Sequence, residues 1–554
     1  MKPKERFMDY IENSIVCNWD LNAFTDYRGA TLQYKDVARK IAKFHIVFEA
    51  IGIRPGDKIA VCGRNSAHWG VVFLATLTYG AVIVPVLHEF KADNIHHIVN
   101  HSESRLLFVG DRVWENLNEE AMPELLGVVL MTDFSVVFQR SGRLVEALDN
   151  RNVLYGKRYP KHFRPGHINY YKADPDELAV INYTSGTTGY SKGVMLPYRS
   201  LWSNIAYSQE LFRVKAGDKM VAILPMGHVF GMSADFLYGF SVGAHIYFLT
   251  RMPSPKVVTQ SFAEIQPRSI ACVPLIVEKI IKKNILPRVD NKIGKLLLHV
   301  PIVSERIKAL ARKEAMKMFG DNFDQIIIGG APLNVEVEQF LKQINFPYTI
   351  GYGMTECGPF ITAHRWETLK QGSCGTAASR MEVRIDSPDP QHVAGELLCR
   401  GTNLMLGYYK EPAITAEVID RDGWLHTGDL GTIDEQGFVT LRGRSKNMLL
   451  TSSGQNIYPE EIESKLNNLP YIAESLVVLQ QQKVVALIYP DFDEAFANGL
   501  KQTDIEQVME QNRVELNKLL PAYCQIAKVK IHFEEFEKTA KKSIKRFMYQ
   551  EAKG

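Results

Sequence analysis

The stretch YTSGTTGYSKGVML (Tyr183–Leu196) places Thr184, Ser185, Gly186, Thr187, Thr188 and Gly189 ahead of Tyr190, Ser191 and the cation Lys192. Glycine and serine are poor material for the interior of a helix or strand. Together they supply backbone N–H groups that can converge, hydroxyl donors and, in Lys192, a point charge. That is chemistry for holding phosphate. The pattern is not G-x-x-x-x-G-K-[ST], because Ser191 precedes Lys192 and Gly193 follows it. A plain Gly/Ser surface loop is the competing reading. The apolar run ELAVINY (Glu177–Tyr183) before it and KGVMLPYRSLWSNIAYSQEL after it argue instead for a strand, the loop, a short strand and a helix.

The elements that must position this loop follow from texture. Short apolar runs, KIAVCG (58–63), LLFVGD (106–111), KMVAILP (219–225) and DQIIIGG (324–330), alternate with helical stretches such as 257–265 and 304–319. This alternation predicts an α/β fold with two doubly covered, mostly parallel sheets. The uncharged run Trp69–Leu87 approaches transmembrane length, but Gly80 and Pro85 divide it, so it reads as a buried helix followed by a buried strand. From about 375 to 445 close-spaced turn signals predict a β-rich subdomain. After it, YPEEIESKLNNL reads as a proline-started helix, ESLVVLQQQKVVALIYP as a hairpin, and 504–519 and 527–533 as a further helix and strand. The expected organisation is an N-terminal unit of residues 1–445 and a small mobile α+β unit of residues 446–554.

Bulk properties exclude some classes. A length of 554 residues suggests about three to five packing units. A net charge of +3 gives no reason to expect nucleic acid. Seven scattered cysteines without a C-x-x-C pair argue against a disulfide framework or thiolate metal site and fit a reducing cytoplasm. The start MKPKERFMDYIENSI has no apolar signal segment.

YTSGTTGYSKGV resembles the phosphate loop of the adenylate-forming (AMP-binding) superfamily. GGAPL (329–333), GYGMTECGP (351–359), GELLCRG (395–401), GWLHTGDLG (423–431) and GRSKNMLLTSSGQNIYPEEIE (443–463) follow in family order. LPMGHVFGM (224–232) and VPLIVEKI (273–280) look most like bacterial long-chain fatty acyl-CoA synthetases. The resemblance implies activation of a fatty acid by ATP to acyl-AMP, with release of pyrophosphate, then transfer to coenzyme A. A medium-chain or aryl acid, a carrier-protein acceptor, or a non-catalytic acyl or nucleotide binder are the alternatives.

The resemblance also implies roles. Thr184–Gly189 and Lys192 would hold pyrophosphate with Mg²⁺, for which the hard carboxylate of Glu356 is a suitable ligand. Thr355 would reach the α-phosphate. Tyr352 would stack on adenine, with Gly329, Gly330 and Ala331 on its other side. Asp429, expected in a tight turn after Thr427–Gly428, would accept both ribose hydroxyls, and Arg444 would donate to ribose or phosphate. His228 would lie by the acyl carboxylate, Lys446 at the hinge of the mobile unit, and Gly454 in the coenzyme A channel. Taken singly, each has a blander reading: a surface Glu, a turn Asp, a surface Arg, a satisfied core His, a turn glycine.

One motif departs from the family. Where the pattern K-T-x-x-x-K-I-x-R has its lysine, EKTAKKSIKR (537–546) has Ser543. Lys542, one residue earlier, is the expected substitute, ahead of Lys541 or Lys545. A solvated basic tail, or a weakened adenylation step, are the other readings. Lys279–Lys317 carries eleven basic residues against Asp290, Glu305 and Glu314. This region predicts either a soluble charged face or a transient contact with the inner face of a membrane.

Overall fold

The computed structural model describes residues 6–184, 191–250, 254–286, 301–450, 456–481, 483–539 and 544–550, with backbone alone for 301–304. Two large sheets dominate. In the first, the strands Lys58–Cys62, Val82–Val86, Ser104–Val109, Gly127–Leu130 and Leu178–Thr184 run parallel. This sheet has eight strands. The antiparallel strands Val136–Gln139, Lys192–Pro197 and Gly407–Tyr408 complete its two edges. In the second, of seven strands, Tyr348–Ile350, Gln325–Ile328, Ser269–Cys272, Lys219–Ala222, His245–Phe248 and Asn22–Asp26 are parallel, and Thr31–Gln33 closes the edge antiparallel.

Every residue of Val82–Val86, Ser269–Cys272 and Gln325–Ile328 is buried. Apolar runs without alternation are what a sheet covered on both faces demands. The expected helix and strand within 69–87 are the helix Ala67–Tyr79, N-capped by the Ser66 hydroxyl, and the strand Val82–Val86. Among the described residues no helix is long and apolar enough to cross a membrane. All seven cysteines are free thiols.

Met381–Asp386, Gly395–Gly401, Leu425–Ile433 and Val439–Arg444 form a four-stranded antiparallel sheet. Beyond it the helix Pro459–Leu466 starts on proline at its first position, where the missing N–H is no loss. The hairpin Ile472–Gln480 and Lys483–Pro490 takes Lys528–Ile531 as a parallel third strand, and Gln502–Asn517 packs as a helix on this small sheet. Lys282 Nζ donates to Asn468 Oδ1 at 3.1 Å, tying this part to the larger one.

Candidate active site

The phosphate-loop residues Ser185–Gly189 lie outside the described residues, but their stems do not. Thr184 and Lys192 face one another as the last pair of an antiparallel hairpin. The Lys192 ammonium sits over the Tyr408 ring, 5.2 Å from its centroid. The Tyr408 hydroxyl in turn donates to Glu356 Oε1 at 2.8 Å. One buried phenol thus joins the hairpin lysine to the acidic residue of GYGMTECGP. Burial, then the Glu356 charge, pushes the Tyr408 hydroxyl up from its ordinary value, so it stays a donor.

Glu356 and Thr355 are buried in a short 3₁₀ turn, Thr355–Cys357. The turn is held from outside. Asn204 Nδ2 donates to the Cys357 carbonyl at 3.1 Å, Ser233 Oγ donates to the Gly358 carbonyl at 2.7 Å, and the Glu356 carbonyl accepts the Met405 N–H at 2.8 Å. With one carboxylate and nearby hydroxyls, the residues fit Mg²⁺, which takes few protein ligands and completes its shell with phosphate and water. Among the described residues no group of three or more His, Cys, Asp or Glu could hold a metal without such help.

A second cluster lies along the four-stranded sheet. Tyr352 donates its hydroxyl to Asp429 Oδ2 at 2.6 Å, and Arg444 Nε stands 3.0 Å from Asp429 Oδ1. Burial raises the Asp429 carboxyl from its ordinary value, while Arg444 and Tyr352 pull it down. Asp429 is not in a tight turn. It lies inside the strand Leu425–Ile433, paired with Arg444 across the ladder. The turn-like pair Thr427–Gly428 is instead a register break in that strand: Gly428 has φ +71° and its N–H donates to Glu396 Oε1 at 2.9 Å. The kink aims Asp429 at Tyr352.

Gly329 follows the strand Gln325–Ile328, and a side chain there would meet the Gly351 carbonyl at 3.1 Å and the Phe230 ring at 3.3 Å. Gly330 has φ +87°, and both it and Ala331 are exposed beside it. His228 is half-buried; its Nδ1 accepts the Phe230 N–H at 3.2 Å. It precedes a π-helix, Gly231–Leu237, an element often found where function bends a helix.

Lys446 is exposed in the 3₁₀ turn Ser445–Asn447, directly after the strand that carries Arg444. Gly454, Lys541, Lys542 and Ser543 lie outside the described residues. Their described neighbours Lys538 and Ile544 form an isolated antiparallel bridge. Arg546 donates from both Nη atoms to Glu463, at 2.8 and 2.7 Å.

Tyr408 escaped the sequence reading. It sits on a two-residue edge strand inside MLGYYKEP, too short to show any period. Asn182, Asn204 and Ser233 also went unread, because buried polar residues of this kind carry no spacing signal.

Residues 13–409 match the AMP-binding enzyme family, and residues 446–552 match its C-terminal domain. The chain belongs to the AMP-binding enzyme family. Membership makes it an adenylate-forming acid ligase, and the fold is that of the family. It is 26% identical over 509 residues to the long-chain-fatty-acid–CoA ligase ACSBG2 of Rattus norvegicus, covering 85% of this chain and 72% of that one. The 3-[(3aS,4S,7aS)-7a-methyl-1,5-dioxo-octahydro-1H-inden-4-yl]propanoyl:CoA ligase of Rhodococcus jostii (strain RHA1) is 29% identical over 464 residues, with 81% of each chain covered. The structure of ATP-bound MatB from Rhodopseudomonas palustris superposes with a TM-score of 0.76 at 21% identity, over 98% of both chains.

Proposed function

We propose that the protein is an ATP-dependent long-chain fatty acid–CoA ligase, built as residues 1–445 and a mobile unit of residues 446–554. The observation that carries this reading is Tyr408, which links Lys192 of the hairpin to Glu356. A cation for phosphate, over the ring, and a carboxylate for a metal, at its hydroxyl, thereby meet on the same side chain.

In the first step an acid oxygen attacks the α-phosphorus of ATP, and the bond to pyrophosphate breaks. Lys192, with the Thr184–Gly189 hydroxyls and N–H groups, holds the departing pyrophosphate. Thr355 donates to the α-phosphate. Mg²⁺, held by Glu356, would supply positive charge against the phosphate oxygens. Asp429 accepts from the ribose hydroxyls, Arg444 steadies it, and Tyr352 with Gly329–Ala331 encloses adenine. His228 orients the acid. Lys542 brings positive charge to the carboxylate and the α-phosphate in place of the residue at 543.

In the second step the small unit turns about Lys446 and Gly454 lines the thiol's approach. The coenzyme A sulfur attacks the acyl carbonyl, the C–O bond to AMP breaks, and the thiol proton passes to solvent. For delivery of the acid we propose contact of the basic 279–317 region with anionic lipid. In support, Leu310 is 64% exposed between Arg306 and Lys313 on one helix, and Leu275 is 52% exposed a turn before Lys279 on another.

The test is pyrophosphate release and coenzyme A consumption with acids of graded chain length, plus benzoate and malonate. The expected result is a maximum among long-chain acids with both readouts. Turnover confined to aryl or short acids would overturn the long-chain assignment. Pyrophosphate without coenzyme A consumption would favour a carrier-protein acceptor.

A further inference from the structure

The segment that carries His228 is not held by its own sheet. Past Ala222 the chain leaves the seven-stranded sheet, and residues of the other sheet's side meet its backbone groups. Asn65 Nδ2 donates to the carbonyls of Ala222 at 3.2 Å and Leu224 at 2.7 Å, while its Oδ1 accepts the Met226 N–H at 2.8 Å. Asn182 Nδ2 donates to the Gly227 carbonyl at 3.0 Å. Asn182 is 1% exposed and stands two residues before Thr184 on the hairpin strand. Gly227 leaves little room for a side chain: a Cβ there would lie 3.1 Å from the Val86 carbonyl oxygen.

The segment then enters the π-helix, which is packed equally close. A Cβ on Gly231 would fall 2.6 Å from the Pro225 carbonyl oxygen. Two residues on, Ser233 Oγ donates to the Gly358 carbonyl at 2.7 Å, at the end of the Glu356 turn. A continuous path of buried hydrogen bonds and clamped backbone therefore runs from the hairpin through His228 to the Glu356 turn. Buried polar side chains are retained only when bonded, and such links transmit displacement because packed interiors deform little.

We propose that Asn182 is a positioning residue that couples nucleotide in the phosphate hairpin to the His228 segment, so that bound ATP raises the affinity for the acid. This rests on the proposed function. An asparagine that only satisfies the Gly227 carbonyl would affect stability and leave the coupling alone.

The experiment measures the dissociation constant of the acid most active in the chain-length series, with and without the non-hydrolysable α,β-methylene ATP, by calorimetry on the full chain. The wild type is expected to bind the acid several-fold more tightly with the analogue, within the roughly 5–150-fold range of site couplings. Asn182→Leu keeps the branched shape and loses the donor. It should reduce that factor toward one while leaving the analogue's own affinity within about twofold, since site affinity without the second ligand is not what the link sets. Should Asn182→Leu fail to fold, Ser233→Ala cuts the path at its other end and should lower the same factor. A full coupling factor in the folded variant, or none in the wild type, overturns the proposal. Loss of analogue binding in Asn182→Leu also overturns it, because Asn182 would then belong to the nucleotide site itself. If the wild type does not bind the analogue at all, the functional reading fails first, an outcome the wild-type titration reveals on its own.

Discussion

At the scale of single residues, Asp429 sets a pH dependence. Its carboxyl is raised by burial, and the proposed ribose recognition needs the ionised acceptor. As pH falls through the raised value the acceptor is lost, so the KM for ATP should climb on the acid side while that for the acid changes less. Asn at 429 removes the titration: Asp429→Asn should show a high, pH-flat KM for ATP, measured by pyrophosphate release from pH 5 to 8. A second residue-scale expectation concerns Lys542. If it supplies the charge that Ser543 lacks, Lys542→Ala should lower acyl-AMP formation by about 10²–10³, the scale of removing one transition-state donor. Thiolysis of acyl-AMP supplied from outside should be nearly unchanged. Equal loss in both half-reactions would remove Lys542 from the adenylation role. Asp429 and Arg444 were legible as residues because their motifs are ordered along the chain. Their mutual contact was not, since it depends on a strand register broken at Gly428.

At the scale of elements, the alternation of apolar runs and helices predicted most of both large sheets, because strands buried on two faces must be apolar throughout. The apolar run KMVAILP extends to Pro225, but the strand stops at Ala222, whose carbonyl accepts both the Leu249 N–H at 3.4 Å and Asn65 Nδ2 at 3.2 Å. The π-helix 231–237 had no sequence mark either; its widened turn answers packing, not propensity. In the small unit, the helix Pro459–Leu466 is locked to the C-terminal segment by Glu463 and Arg546, whose side chains are only 11% and 13% exposed. Removing one partner leaves a buried charge. Arg546→Met should therefore destabilise this unit by about 3–5 kcal/mol, seen as an early transition in thermal unfolding, with Glu463→Gln/Arg546→Met together recovering much of the loss.

At the scale of the whole molecule, the basic helices stand on one flank. Pro274–Asn284 and Pro301–Met318 both pack on the helix Pro255–Ile265, so Lys279, Lys283, Arg306, Lys313 and Lys317 belong to one side of the seven-stranded sheet. If this flank meets lipid, the protein should sediment with vesicles containing phosphatidylglycerol at low salt and stay free of neutral phosphatidylcholine vesicles. Replacing Arg306, Lys313 and Lys317 by Gln should abolish the difference and leave ligase activity in detergent-dispersed substrate intact. The separation into a large part and a small one was visible as a change of texture along the sequence. The way the small part leans on the large one, through Lys282 and Asn468, was not, because the partners are 186 positions apart.

The N-terminal strand Asn22–Asp26 has a different consequence. It pairs with His245–Phe248, so a ribosome must add some 220 further residues before that partner exists. At about 5–20 residues per second this is a wait on the order of ten to forty seconds, during which the strand has Thr31–Gln33 on one edge and no partner on the other. Synthesis from the N-terminus thus meets its hardest stretch early, and the first half of the chain is the natural client for a holding chaperone.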